Sequence, residues 1–117
     1  MAEERSQLPP QLQEQLMRLQ QLQQTLRSVI AQKQQLEIEL AEIERALSEL
    51  ERSPDEAVIY KSVGSIMVKA AKQGVIEELK ERKDIVNTRA TVLARQETRS
   101  REKIDELQKK VQEMLRR

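Results

Sequence analysis

Val58-Ile59-Tyr60-Lys61-Ser62-Val63-Gly64-Ser65-Ile66-Met67-Val68-Lys69-Ala70 is the stretch that decides the fold. β-Branched residues gather on both sides of Gly64-Ser65, and a glycine in first place of a two-residue turn suits a type II′ β-hairpin. The expected strands are 58 to 62 and 66 to 70, with Tyr60, Ile66 and Val68 facing one way. Two strands alone are marginal in water and leave both edges unpaired. The hairpin is therefore expected to pair with other subunits through Val58, Tyr60, Ile66 and Val68.

Outward from this stretch the period changes from two to three and a half. On the N-terminal side a 4-3 stripe runs Leu8, Leu12, Gln15, Leu19, Leu22, Leu26, Val29, Lys33, Leu36, Leu40, Ile43, Leu47, Leu50, broken only by Gln15 and Lys33. On the C-terminal side a second stripe runs Ile76, Leu79, Lys83, Val86, Ala90, Leu93, Glu97, Ser100, Ile104, Leu107, Val111, Met114. Such sustained stripes predict coiled-coil helices, each roughly 60 to 65 Å long at 1.5 Å per residue. Pro9 and Pro10 suit a first helical turn, whose N–H groups have no partner to lose. Pro54 disfavours helical geometry at Ser53, and Ser53-Pro54-Asp55-Glu56 reads as a capping box, so the first helix is expected to stop near Arg52, followed by one short turn. The expected bounds are 8 to 52 for the first helix, 58 to 70 for the hairpin and 74 to 117 for the second helix, within one domain spanning 1 to 117.

Neither stripe can bury itself alone, and the connection is short, so the helices are expected to fold back on each other. The predicted fold is mainly α: a long antiparallel two-helix coiled coil with a β-hairpin at the helix-helix connection. Both chain ends then meet at one tip. Polar seam residues such as Gln15 and Lys33 fit a role in fixing register, while Glu97 and Ser100 soften the second seam, either for register or for local flexibility.

Composition excludes most chemistry. The 117 residues are 35% charged and 1% aromatic, with neither Cys nor His, which removes disulfides, thiolate nucleophiles and the main ligands of zinc and copper. Only Gly64 and Gly74 could serve a phosphate loop, and no Gly-rich loop exists. Glu37, Glu42 and Glu44 read as a solvated helix face rather than a cation site. An enzyme, a metal and a cofactor are accordingly not expected. Met1-Ala2-Glu3-Glu4-Arg5 is charged and there is no long apolar span, which favours a cytoplasmic protein without a membrane partner.

The order helix, hairpin, helix resembles the β-class prefoldin subunits of archaea, and so do several local segments. Leu8-Pro9-Pro10-Gln11-Leu12-Gln13-Glu14-Gln15-Leu16, Leu19-Gln20-Gln21-Leu22-Gln23-Gln24 and Gln32-Lys33-Gln34-Gln35-Leu36-Glu37 look like that family's first helix. Tyr60-Lys61-Ser62-Val63-Gly64-Ser65-Ile66-Met67-Val68 is similar to its hairpin, and Glu77-Glu78-Leu79-Lys80-Glu81-Arg82 to the opening of its second helix. Gln73-Gly74 departs from the acidic start expected there. The resemblance implies an ATP-independent chaperone working in a hexamer of two α-class and four β-class subunits. In that assembly hairpins join into β-barrels, unfolded client proteins are held at the coil tips, and clients pass to a group II chaperonin.

The tip carries more apolar residues than a two-helix seam covers. Leu16 and Met17 fall beside the first stripe, and Leu115 lies next to Met114. They either widen the local seam or bind something, since exposed apolar patches usually do. With the resemblance, Leu8, Leu12, Leu16, Met17, Val111, Met114 and Leu115 become the expected client-binding set. Two rivals are a structural adaptor or tether that holds no client, and a nucleic-acid binder using Arg95, Arg99, Arg101, Lys103, Lys109, Lys110, Arg116 and Arg117. The first would not need a β-rich bend. The second lacks stacking aromatics, and its cations alternate with acids, so no nucleic-acid partner is expected.

Overall fold

A computed structural model describes residues 8–116; the charged stretch Met1 to Arg5 and the terminal Arg117 lie outside the described residues. The element order is α1 (Pro10–Arg52), β1 (Ile59–Val63), β2 (Ile66–Ala70) and α2 (Lys72–Arg116). Glutamine, leucine, glutamate and arginine dominate α1, and its single proline, Pro10, is its first residue, so nothing interrupts 43 residues of helix. Pro10 occupies the first helical position, and the Pro9 carbonyl accepts the Gln13 N–H at 3.0 Å.

The chain divides into two compact units, one made of residues up to Lys33 and from Val92 onward, the other of Gln34–Thr91. In the second unit α1 and α2 run antiparallel. Ile43, Leu47, Ile76 and Val86 form its buried core, with Leu36, Leu40, Leu50 and Leu79 packed against them. Val86 has no solvent exposure at all. Arg82 Nε donates to Glu39 Oε1 at 2.6 Å, and Lys83 pairs with Glu44 at 3.8 Å, lacing the rim of this seam. In the other unit Leu12, Val29, Ile104, Leu107 and Val111 are buried. Within each unit every residue of the two stripes is buried or half-buried, so the heptad register read from the sequence is the one the chain adopts.

The capping box at Ser53 does not form. Ser53 Oγ instead donates backward to the Leu50 carbonyl at 2.8 Å. Residues 54 to 57 make one turn, closed by Ala57 N–H to the Pro54 carbonyl at 3.0 Å, so no helical N–H follows for a cap to satisfy. The second helix starts at Lys72, two residues before the expected 74. No acidic residue lies in its first turn; Lys72 Nζ instead reaches the Ser53 carbonyl at 2.7 Å and Asp55 at 3.4 Å, placing a cation where α1 leaves its last carbonyls unpaired. Gly74 thus lies within the first turn of α2, where it costs up to about 1 kcal/mol relative to alanine.

The hairpin pairs Ile59 with Ala70, Lys61 with Val68 and Val63 with Ile66. Gly64 has φ +61°, and among the described residues no non-glycine has a positive φ, so Ser65 is negative. That pair of signs is the type II′ turn expected from the sequence. Val58 falls outside β1: its partner position, Ala71, lies beyond the end of β2, and the Ala71 carbonyl accepts the Val75 N–H at 3.1 Å as α2 begins. The register also corrects the expected faces. Directly opposed residues share a face, so Ile59, Lys61, Val63, Ile66, Val68 and Ala70 lie on one side and Tyr60, Ser62, Met67 and Lys69 on the other. Tyr60 therefore does not face the same way as Ile66 and Val68.

Candidate functional site

Uncovered apolar side chains gather in two regions, with Ile38, Ile85 and Val92 exposed elsewhere on the helices. At the hairpin, Val58, Tyr60, Val63, Ile66, Met67 and Val68 are all exposed, on both faces. One cation of the more apolar face, Lys61, is tied down by Glu78 of α2 at 3.0 Å. Both outer strand edges are unpaired, since the sheet has two strands only. Such a surface is a template for further strands.

The second region lies where the N-terminal part of α1 meets the C-terminal part of α2. Gln11, Glu14 and Gln15 line a shallow cavity of about 380 Å³ together with Lys110, Glu113 and Met114. Next to it, Gln15, Arg18 and Leu22 face Lys103, Leu107 and Lys110 across about 290 Å³. Both ends of the sequence contribute to one surface. Of the residues expected there, Met17 and Leu115 are 63% and 62% exposed, Leu8, Leu16 and Met114 are half-buried, and Leu12 and Val111 are buried in the seam. The last two become available only if the helices part.

One feature escaped the sequence reading. Lys33 and Glu97, each singled out as an interruption of its own stripe, meet across the seam at 3.3 Å with side chains 33% and 20% exposed. Arg101 joins them, its Nε donating to the other Glu97 oxygen at 3.0 Å. A signal for this was present: Lys33 and Glu97 carry opposite charge and are equally distant in sequence from Ser65 at the turn. The hydrogen bond from Arg101, then that from Lys33, holds the Glu97 carboxyl below the usual glutamate range, against some desolvation. A carboxyl whose pKa is lowered by folding contributes stability that is complete above its unfolded pKa, about 4.3. This contribution is lost as pH falls through the lower folded value. Acid titration of thermal stability is thus expected to show a loss below about pH 4.3 that is absent in Glu97→Gln. Parallel profiles for the two proteins would remove Glu97 as its source.

Among the described residues no His, Cys, Asp or Glu group converges as a metal site would require. No helix in this range is long and apolar enough to cross a membrane. Of the basic residues weighed above, Arg101 and Lys109 are engaged by Glu97 and Asp105 on their own helix.

A family model described as "Prefoldin subunit" matches residues 13–117. The chain belongs to the prefoldin family. Its likeness is to the β class: it is 47% identical to prefoldin subunit beta of Archaeoglobus fulgidus over 92% of this chain and 93% of that one. It is 44% identical to the corresponding subunit of Pyrobaculum neutrophilum over 94% of this chain and 87% of that one. The crystal structure of the prefoldin beta subunit from Thermococcus strain KS-1 superposes with a TM-score of 0.84 at 43% identity, covering 93% of this chain and 96% of that one. The beta2 subunit from the same strain shares the fold at 22% identity, with a TM-score of 0.71 over 78% of this chain and 97% of that one. As a prefoldin subunit of the β class, the chain is a chaperone component and not an enzyme.

Proposed function

We propose that this prefoldin chain holds unfolded proteins at the end of its helix pair, on Leu8, Leu12, Leu16, Met17, Val111, Met114 and Leu115. In this reading it assembles through its hairpin, by Val58, Tyr60, Ile66 and Val68, with α-class subunits as two α and four β. The hexamer works without nucleotide in the cytoplasm and passes clients to a group II chaperonin. The observation that carries the client-binding part is the exposure of Met17 and Leu115 beside half-buried Leu16 and Met114, at the place where the first part of α1 meets the last part of α2. Methionine adapts to varied apolar partners, and a client touched weakly by several arms is held well because each further contact is intramolecular. The hairpin argues against a plain tether, which has no use for two uncovered apolar faces at its bend.

Two changes to the co-expressed assembly test this. Met17→Ser with Leu115→Ser alters only exposed side chains and is expected to weaken suppression of aggregation of a denatured test protein while thermal stability stays within about 0.5 kcal/mol per site. Deleting residues 1 to 11 and 111 to 117 is expected to abolish protection while leaving hexamer mass intact. A truncated hexamer that assembles and protects at the wild-type molar ratio would move client holding elsewhere.

A further inference from the structure

We infer that only one face of the hairpin is buried on assembly, the one carrying Val63, Ile66 and Val68 against the like faces of neighbouring prefoldin hairpins, and that Glu78 permits this by drawing the Lys61 charge off that face. The inference deepens the assembly role proposed above and rests on it. The strand register sorts the side chains into two unlike sets. One face holds Ile59, Lys61, Val63, Ile66, Val68 and Ala70, the other Tyr60, Ser62, Met67 and Lys69. On the first, Ile59 and Ala70 at the helix end of the hairpin are already half-buried, whereas Val63, Ile66 and Val68 are 49%, 61% and 38% exposed. An apolar surface thus runs from a covered base to an uncovered end, and a partner lying on that end extends a core the chain has begun.

Charge separates the two faces more sharply than apolar content does. Each carries one lysine. Lys61 Nζ donates to both carboxylate oxygens of Glu78, in the second turn of α2, at 3.0 and 3.3 Å, so its ammonium leaves the sheet while its methylenes stay on it. Lys69 is exposed and makes no ion pair among the described residues. Pressed against apolar side chains, an unpaired ammonium loses its hydration with nothing in return, so the Lys69 face stays toward water. Tyr60 then joins the assembly through its main chain, whose polar groups point outward along the free edge of β1. Strands added at the two open edges extend one twisted sheet, and a sheet with a single apolar face buries it by curling or stacking. A pair as exposed as Lys61–Glu78 adds little to the stability of the chain alone. Its effect appears when the face is covered.

Dilution of the co-expressed assembly, followed by light scattering, tests both parts. Ile66 and Met67 are adjacent and similarly exposed, at 61% and 65%, but lie on opposite faces. Ile66→Asp is expected to raise the concentration at which the assembly dissociates by about a hundredfold, and Met67→Asp to leave it within about threefold. Glu78→Lys, outside the hairpin, is expected to raise it about tenfold by leaving the Lys61 charge unmatched on the buried face. Lys61→Met/Glu78→Lys is expected to restore it, because the charge that needed Glu78 is gone. Circular dichroism checks that each variant keeps its helices. Equal effects of the two aspartates, or the reverse order, overturn the choice of face. Unchanged dissociation in Glu78→Lys, or a loss that Lys61→Met does not restore, overturns the part given to Glu78. Val68→Pro, which removes the hairpin altogether, reports separately on whether assembly runs through it.

Discussion

A chain carrying Val68→Pro is expected to elute as a free subunit at low micromolar concentration, with most of its helical signal retained. The turn hydrogen bond makes Val63 and Ile66 a bonded pair, and the alternation of an antiparallel ladder makes Lys61 and Val68 the next one. Proline at 68 removes the inward-facing donor of that pair and holds φ away from the strand value, so the hairpin itself is lost. At Met67 and Lys69, by contrast, the N–H groups point outward along the free edge of β2. Met67→Pro therefore spares the internal ladder and blocks addition of a strand to that edge. Comparing the two separates loss of the hairpin from loss of one docking edge. An unchanged oligomer mass by light scattering for Val68→Pro would show that assembly does not run through the hairpin.

The second large effect is in the core. Ile43→Ala is expected to lower stability by about 2 to 5 kcal/mol, a large share of the total for a chain of this size. Ile43 is 6% exposed and packs with Leu47, Ile76 and Val86, residues that rigid helices hold in place and that cannot collapse fully into the gap. Glu42, one residue away and exposed, is the control, with an expected change within about 0.5 kcal/mol for Glu42→Ala. Denaturant midpoints of the two variants in the same assembly make the comparison. Equal shifts would mean that the seam between 36 and 50 does not carry the stability assigned to it.

The long-range frame was legible because both signals behind it are periodic. Leucines at 4-3 spacing have one solution as a helix, and glycine ahead of serine between β-branched residues has one preferred turn. What stayed illegible depended on tertiary partners. The first residue of α2, Lys72, reaches the Ser53 carbonyl, a contact with no local trace in the sequence around Gly74. Ser53 had the right neighbours for a capping box, but the turn after Pro54 gave it no helix to cap. The common face assigned to Tyr60, Ile66 and Val68 depended on the register across the turn, which separates the first from the other two. At the tip the residue types were readable, but their division into exposed Met17 and Leu115 and buried Leu12 and Val111 needed the packed seam.

The position of the turn at Gly64-Ser65, close to the middle of the chain, also sets an order of events in time. Contacts near the turn close short loops, whereas Lys33 and Glu97 must be brought together across 64 residues, and each pairing beyond the hairpin is cheap only after the one before it. On a ribosome this order cannot begin until the turn has emerged. By then α1 is complete, and its apolar stripe has no partner in its own chain. At about 5 to 20 residues per second, the 45 residues of α2 take roughly 2 to 9 seconds to follow. For that interval the nascent subunit exposes a row of leucines to water, and so begins as the kind of unfinished chain that its finished form is proposed to hold.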